Sequence, residues 1–180
     1  VRIIPEAGSL LHGLIALPLV LQTGQVQRIG QTVQGRLDLI QLDFIGDGEC
    51  REDLKRLGEK LKISEKISFL GSMPPEKVRE AMLGADIFLF TSNFREGWGA
   101  VLNEAMSCGC AVLASSAVGS VPFLIEDGKN GVVYKYGSQK DFNRKLRILA
   151  EDKEKRMNLG KNAVDTIKNL YSADIAAQRL

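Results

Sequence analysis

The chain has 180 residues, of which 44% are apolar and 26% charged, a balance that is typical of a globular domain and excludes disordered or collagen-like chains. Its 24 Lys and Arg residues nearly balance 22 Asp and Glu residues, leaving a formal net charge of +2. So small an excess of positive charge predicts that neither nucleic acid nor an anionic membrane is the main partner.

The sequence is poor in groups for metal or disulfide chemistry. Cys50, Cys108 and Cys110 have neither the number of a disulfide framework nor the spacing of a zinc site, which predicts a reducing compartment. His12 is the only histidine, and no Asp-x-Asp occurs. We therefore expect no bound metal and no resident cofactor.

The first 38 residues do not fit the pattern of the rest. The apolar run 10–21 is interrupted by Gly13 and Pro18 and is shorter than the ~20 residues that cross a bilayer, so we expect no transmembrane segment. No clear small-residue cleavage site follows it, so we expect no signal peptide. We divide the chain into a segment 1–38, either a divergent first strand and helix or foreign sequence, and a domain 39–180.

From residue 39 onward, apolar segments of strand length alternate with amphipathic segments of helix length. The almost wholly apolar run 86–90 predicts a strand buried on both faces. The alternation predicts an α/β fold, a doubly wound parallel sheet with helices on both sides. The predicted strands are 39–45, 67–70, 86–90, 111–114 and 132–134. The first two predicted helices are one that contains Leu54, Leu57 and Leu61 and one that begins at Pro74 and Pro75. A third helix is predicted at 99–107, and three more within 138–180.

Ligands of such sheets bind beyond the carboxyl ends of the strands, so the loop 91–100 is the main candidate site. Its two glycines, Gly97 and Gly99, precede a helix and allow the backbone to approach a phosphate closely. An ordinary helix cap with glycine turns explains the same residues, and the spacing alone leaves both explanations open.

Glu104 adds a carboxylate to this helix. At helical spacing it shares a face with Val101 and Cys108, which predicts a charge held against an apolar stripe. Such a charge needs partners: backbone donors of a neighbouring loop, a basic residue, or a pair of ligand hydroxyls such as a ribose diol.

Together, these residues resemble a known motif. In the stretch 95–109, Glu96 and Glu104 are separated by seven residues, as in the Glu-x7-Glu motif of family 4 (group 1) retaining glycosyltransferases, which have the GT-B fold. The resemblance covers roughly residues 42–180, the nucleotide-sugar-binding C-terminal half of such an enzyme. It continues through the segments 44–48, 67–71, 111–115, 118–122, 125–131 and 160–163.

The resemblance implies a role for each matching residue. Glu96 would be the catalytic-site carboxylate that contacts the donor sugar, and Glu104 would hold the ribose diol. Residues of two earlier loops, Gly46, Ser72 and Met73, would lie beside the base. The donor-binding segment between the two glutamates would consist of Gly97, Trp98, Gly99, Ala100 and Val101. The resemblance also implies a metal-independent enzyme of the cytoplasm that takes a nucleotide sugar as its donor substrate and needs no cofactor.

Three features depart from the family pattern. Relatives carry an Arg and a Lys five residues apart in an early glycine-bounded loop, whereas Arg28 is the only base in the nearest counterpart here. The Gly-Gly-x-Pro-Glu pattern appears as residues 119–123 and ends in Phe123 in place of the carboxylate. A chain of this length also lacks an N-terminal acceptor-binding domain, through which relatives associate peripherally with membranes.

Two other functions stay open. The missing basic pair favours a non-catalytic module that binds a nucleotide sugar or serves as a scaffold. An NAD-binding domain is disfavoured, because Arg51 occupies the third glycine position of the fingerprint that begins at Gly46. We interpret Trp98 as a packing residue rather than a sugar-stacking one. We interpret Cys108 and Cys110 as small buried residues rather than nucleophiles.

Overall fold

The computed structural model describes residues 13–18, 40–48 and 51–171. The strands are β1 (Gly13–Pro18), β2 (Ile40–Ile45), β3 (Ile67–Gly71), β4 (Ile87–Phe90), β5 (Ala111–Ser115) and β6 (Val132–Tyr134). The helices are α1 (Arg51–Lys60), α2 (Pro75–Leu83), α3 (Val101–Ser107), α4 (Val121–Leu124), α5 (Gln139–Glu151) and α6 (Lys153–Leu170), with a 3-10 turn at Ser64–Lys66.

The six strands form one parallel sheet in the order β3-β2-β1-β4-β5-β6. This order confirms the predicted doubly wound sheet. The direction of winding reverses between β1 and β4, and ligands of such sheets bind at this switch point, beyond the carboxyl ends of the strands. The loop after β4 therefore borders the crevice.

Helices cover both faces of the sheet, and β4 shows how its sequence permits this. Ile87 and Leu89 belong to the core on one face, whereas Phe88 and Phe90 belong to the core on the other. All four side chains are buried, as the apolar run predicts. Leu54 of α1 and Leu146 of α5 pack on the first face. The second face carries Met82 of α2, Leu102 and Met106 of α3, and Ala163 of α6.

The sequence did not locate two of the elements. A strand, β1, lies within the segment 1–38 and pairs with both β2 and β4, which agrees with the alternative of a divergent first strand, although its residues were not predicted. The three helices expected within 138–180 are tested only as far as residue 171, and that part holds two, α5 and α6, the second of 18 residues. The four-residue helix α4 was missed. The domain boundary at residue 39 stays a prediction.

Of the helices in the described ranges, none combines the length and the apolar character needed to cross a membrane.

Candidate functional site

The loop after β4 holds a carboxylate in a defined position. Ser92 is buried, and its Oγ donates a hydrogen bond of 2.9 Å to Oε2 of Glu96. Asn93 shapes the turn between them, because its side-chain oxygen accepts from the Arg95 N–H and its carbonyl accepts from the Glu96 N–H. Glu96 is partly exposed at the carboxyl edge of the sheet, so its second oxygen can accept hydrogen bonds from a ligand.

Gly99 brings the loop down onto the end of β4. Its φ is +73°, and a Cβ at this position would lie 2.7 Å from Cζ of Phe90. Both the left-handed conformation and the contact with the ring require glycine. Gly97, by contrast, is exposed and has open space where a Cβ would be.

Backbone donors between the glycines and α3 are unpaired. Within the described residues, the N–H groups from Gly97 to Val101 donate no hydrogen bond, and the first paired N–H is that of Leu102, which donates to Gly99 O at 2.9 Å. Unpaired donors near a carboxylate can bind an oxygen-rich ligand such as a phosphorylated sugar. This run contains Gly97, Trp98, Gly99, Ala100 and Val101, the predicted donor-binding residues.

Glu104 is placed differently from the expectation. It is exposed, so the prediction that its carboxylate is held against an apolar stripe is wrong. Val101 and Cys108, which share its face, are themselves only half-buried, and Cys108 lines a groove together with Glu104. The groove, of about 620 Å³, runs between α2 and α3, and Pro75 and Arg79 line it together with Glu104.

The predicted base-binding residues lie in two loops that touch. Gly46, after β2, donates through its N–H to Gly71 O at 2.7 Å. Ser72 and Met73 follow Gly71, so all three predicted residues lie at the same edge, next to the groove that begins at Pro75. Arg28, the predicted phosphate-binding residue, lies outside the described residues.

Sequence reasoning missed two polar residues of this edge. Ser92 orients Glu96, but a serine four residues before a glutamate in a loop carries no recognisable signal. Arg51, at the start of α1, forms an ion pair of 3.4 Å with Asp47 in the loop after β2. In the sequence, Arg51 is notable only because it replaces the third glycine of a dinucleotide-binding fingerprint.

Trp98 combines packing and exposure. Its ring lies 5.6 Å from that of Phe123, and its indole Nε1 donates to Asn103 Oδ1 at 3.2 Å. Close to half of the Trp98 surface is nevertheless exposed. Phe123 is exposed as well, so the two rings pack on each other at the surface.

The described cysteines are poor nucleophiles. Burial raises the pKa of Cys110 to about 12, and its thiol donates to Met82 O at 3.2 Å. Burial also raises the pKa of Cys108. Among the described residues, His, Cys, Asp and Glu form no group of three that could hold a metal ion.

Comparison with known proteins identifies the family of the chain. The family model of glycosyl transferases group 1 matches residues 29–166. The chain is 34% identical over 154 residues to the sulfoquinovosyl transferase SQD2 of Arabidopsis thaliana, covering 81% of this chain and 29% of that protein. It is 32% identical over 121 residues to a D-inositol 3-phosphate glycosyltransferase of Corynebacterium kroppenstedtii, covering 67% of this chain and 26% of that protein.

Solved structures share the fold. Anabaena Alr3699/HepE in complex with UDP and glucose is similar with a TM-score of 0.76 at 21% identity, over 93% of this chain and 47% of that one. The C-terminal domain of the Francisella tularensis group 1 glycosyl transferase LpcC gives the same TM-score and identity, over 91% of this chain and 89% of that domain. These neighbours are GT-B, Rossmann-like glycosyltransferases.

The chain thus spans less than a third of the length of these curated relatives, while the family model covers most of the chain itself. The structural neighbours agree with that match in fold. The chain belongs to the glycosyl transferases group 1 family.

Proposed function

We propose that the chain is the donor-binding half of a retaining glycosyltransferase, which transfers a sugar from a nucleotide-activated donor without a metal ion. One observation carries the proposal: the loop after β4 presents the Glu96 carboxylate next to a run of unpaired N–H groups at the switch point of the sheet. Family membership and the UDP complexes of proteins with this fold support it. An acceptor-binding half would complete the enzyme in the cytoplasm.

The two glutamates have separate roles in this proposal. Glu96 accepts hydrogen bonds from hydroxyls of the donor sugar, with Ser92 occupying one of its oxygens. Glu104, in the groove between α2 and α3, accepts from the two hydroxyls of the ribose. Gly46, Ser72 and Met73 surround the base, and Arg28 approaches the diphosphate.

The backbone donors act on the leaving group. As the bond between the sugar and the diphosphate breaks, negative charge grows on the diphosphate and positive charge grows on the sugar ring. N–H groups from Gly97 to Val101 stabilise the first charge without bringing a full charge into the site. The acceptor attacks from the face that the diphosphate leaves, so Glu96 positions the sugar and does not act as a base.

The experiment is a calorimetric titration of the purified chain with UDP, GDP, ADP, their sugar conjugates and NAD, repeated with Glu104→Ala. We expect one nucleoside diphosphate and its sugar conjugate to bind and Glu104→Ala to weaken both at least tenfold, because one side chain holds two ribose hydroxyls. Glu59→Ala removes an exposed glutamate of α1 and is the matched control, with unchanged affinity.

Two results would count against the proposal. Binding that is insensitive to Glu104→Ala would remove this residue from the site. A folded chain that binds none of these nucleotides would favour the alternative, a scaffold module in which the departures around Arg28 have abolished donor binding.

A further inference from the structure

The loop after β5 is in backbone contact with the loop after β4. A Cβ at Gly119 would lie 3.3 Å from the carbonyl carbon of Gly97 and well inside 3.0 Å of its oxygen, closer than real Cβ atoms approach other atoms. Gly119 does not have a positive φ, so its conformation is open to any residue. Glycine is therefore required at 119 by the contact and not by the backbone conformation.

This contact sets the direction of a peptide group. The peptide between Gly97 and Trp98 is trans, and in a planar trans peptide the carbonyl and the N–H point in opposite directions. The carbonyl of Gly97 lies against Gly119, so the N–H of Trp98 points away from the loop after β5. This N–H is one of the donors that have no acceptor within the described residues.

The segment 97–99 also contacts the side chains of Phe90 and Val118. Gly99 lies on the Phe90 ring, and its missing Cβ would also lie 3.3 Å from Cγ1 of Val118, the residue before Gly119. The segment from Gly97 to Gly99 is thus enclosed by the last side chain of β4 and by the loop after β5. Rigid contacts on both sides fix the donors of this segment before any ligand arrives, which is the condition for effective stabilisation of a developing charge.

We infer that Gly119 is a positioning residue for the donor site: it holds the Gly97–Trp98 peptide so that the Trp98 N–H faces the donor. This inference rests on the proposed function. Gly119 acts through Gly97 and does not itself touch the nucleotide sugar. Any side chain at 119 pushes the Gly97 carbonyl away and turns or shifts the peptide.

The test compares Gly119→Ala with Gly160→Ala. Gly160 of α6 makes the same kind of tight contact with the carbonyl oxygen of Gly109, at the opposite end of β5. Both variants should lose stability, but only Gly119→Ala should weaken binding of the nucleoside diphosphate, among UDP, GDP and ADP, that the unaltered chain binds. We expect about a tenfold rise in Kd, the effect of losing one hydrogen bond to a charged group such as a phosphate.

A second control variant is used in case Gly160→Ala does not fold. Gly131→Ala would place a Cβ 3.0 Å from Cγ2 of Ile125, a side-chain atom far along the chain from the loop after β4, and should also leave Kd unchanged. Equal Kd values for Gly119→Ala, the controls and the unaltered chain would overturn the inference.

NMR of the ligand-free chain tests the inference separately from the proposed function. In the unaltered chain, the α protons of Gly119 and Trp98 should show a nuclear Overhauser effect, and Gly119→Ala should shift the Trp98 amide resonance while Gly160→Ala leaves it in place. If no nucleotide binds, the proposed function fails. The nuclear Overhauser effect and the Trp98 amide resonance still show whether Gly119 positions the Gly97–Trp98 peptide. Absence of the effect, or an unmoved Trp98 amide in Gly119→Ala, would overturn the inference.

Discussion

At the scale of single residues, the hydrogen bond from Ser92 to Glu96 orients the carboxylate that we propose to bind the donor sugar. Ser92 is buried and Glu96 is partly exposed, so the bond ties a ligand-facing group to the fixed end of β4. Without the Ser92 hydroxyl, the Glu96 carboxylate would keep its charge but would be free to rotate.

This bond gives a graded prediction for the donor sugar. Ser92→Ala should weaken binding of the nucleotide sugar about tenfold relative to the free nucleoside diphosphate, since a hydrogen bond to a charged group contributes about 1.5 kcal/mol. Glu96→Ala should have a larger effect, and in the complete enzyme it should reduce transfer without unfolding the domain. Calorimetry with both ligands measures the ratio of the two affinities.

The control is Ser68→Ala, which removes a hydrogen bond of the same length, 2.9 Å, between Ser68 and Gln41. It should change neither affinity. An unchanged ratio in Ser92→Ala, or unchanged turnover in Glu96→Ala, would contradict the assignment of Glu96 to the sugar.

At the scale of elements, the junction between β4 and α3 depends on Gly99. Gly99→Ala adds a side chain at φ +73° and places its Cβ 2.7 Å from the Phe90 ring. We expect the free energy of unfolding to fall by about 3 kcal/mol, because the left-handed conformation costs about 1–2 kcal/mol and overpacking about 1–3 kcal/mol. Urea denaturation measures the change.

Gly137 separates the two costs. Its φ is +77°, but a Cβ there would meet open space. Gly137→Ala should therefore show only the conformational cost, about 1–2 kcal/mol. Equal losses for Gly99→Ala and Gly137→Ala would mean that Phe90 gives way and does not anchor the loop.

The same scale shows which elements sequence reasoning recovers. β4 and β5 were predicted to within one residue, because strands that are buried on both faces are short, continuous apolar runs. The bounds of β1 were not predicted, because its apolar run was judged against the length of a membrane span. The helix α4 was missed because four residues that include Pro122 show no periodicity.

The site was predicted in part. The positions of Glu96, Gly97 and Gly99 in the loop after β4 follow from the alternation of elements and from the family motif. The burial of Glu104 was predicted wrongly, because helical spacing shows which residues share a face and not whether that face is covered. The hydrogen bond of Ser92 is local, but a serine four residues before a glutamate is not a recognisable pattern. Gly119 begins a family motif, but its contact with Gly97 is tertiary and cannot be read from the sequence.

At the scale of the whole molecule, two carboxylates affect stability in acid with opposite signs. The pKa of the Asp141 carboxyl is lowered. Partial burial alone would raise it, but the hydrogen bonds from the Lys135 N–H at 2.9 Å and the Arg144 guanidinium at 2.7 Å outweigh burial. Its stabilisation is present above the ordinary pKa of 3.8 and is lost as the pH falls through the lowered value. Burial raises the pKa of Asp86, so stability declines as the pH rises from 3.8 towards that raised value.

Asp141→Asn should therefore reduce the loss of stability below pH 4, whereas Asp86→Asn should remove the decline above it. Urea denaturation between pH 2.5 and 7, roughly the range over which carboxylates titrate, measures both. Glu59→Gln, at an exposed position of α1, is the control and should follow the unaltered chain. Parallel pH profiles for Asp141→Asn and the unaltered chain would remove Asp141 as a source of acid sensitivity.

The position of β1 has a consequence for how the molecule assembles. Among the described strands, β1 alone pairs with both the β2–β3 half and the β4–β5–β6 half of the sheet. Its partner β4 follows it by about 70 residues, a separation that makes this pairing a non-local contact. Because non-local contacts form more slowly than local ones, we expect the joining of the two halves to be slower than the formation of either half. The candidate site lies at that same seam, so we expect it to form only when the two halves have joined.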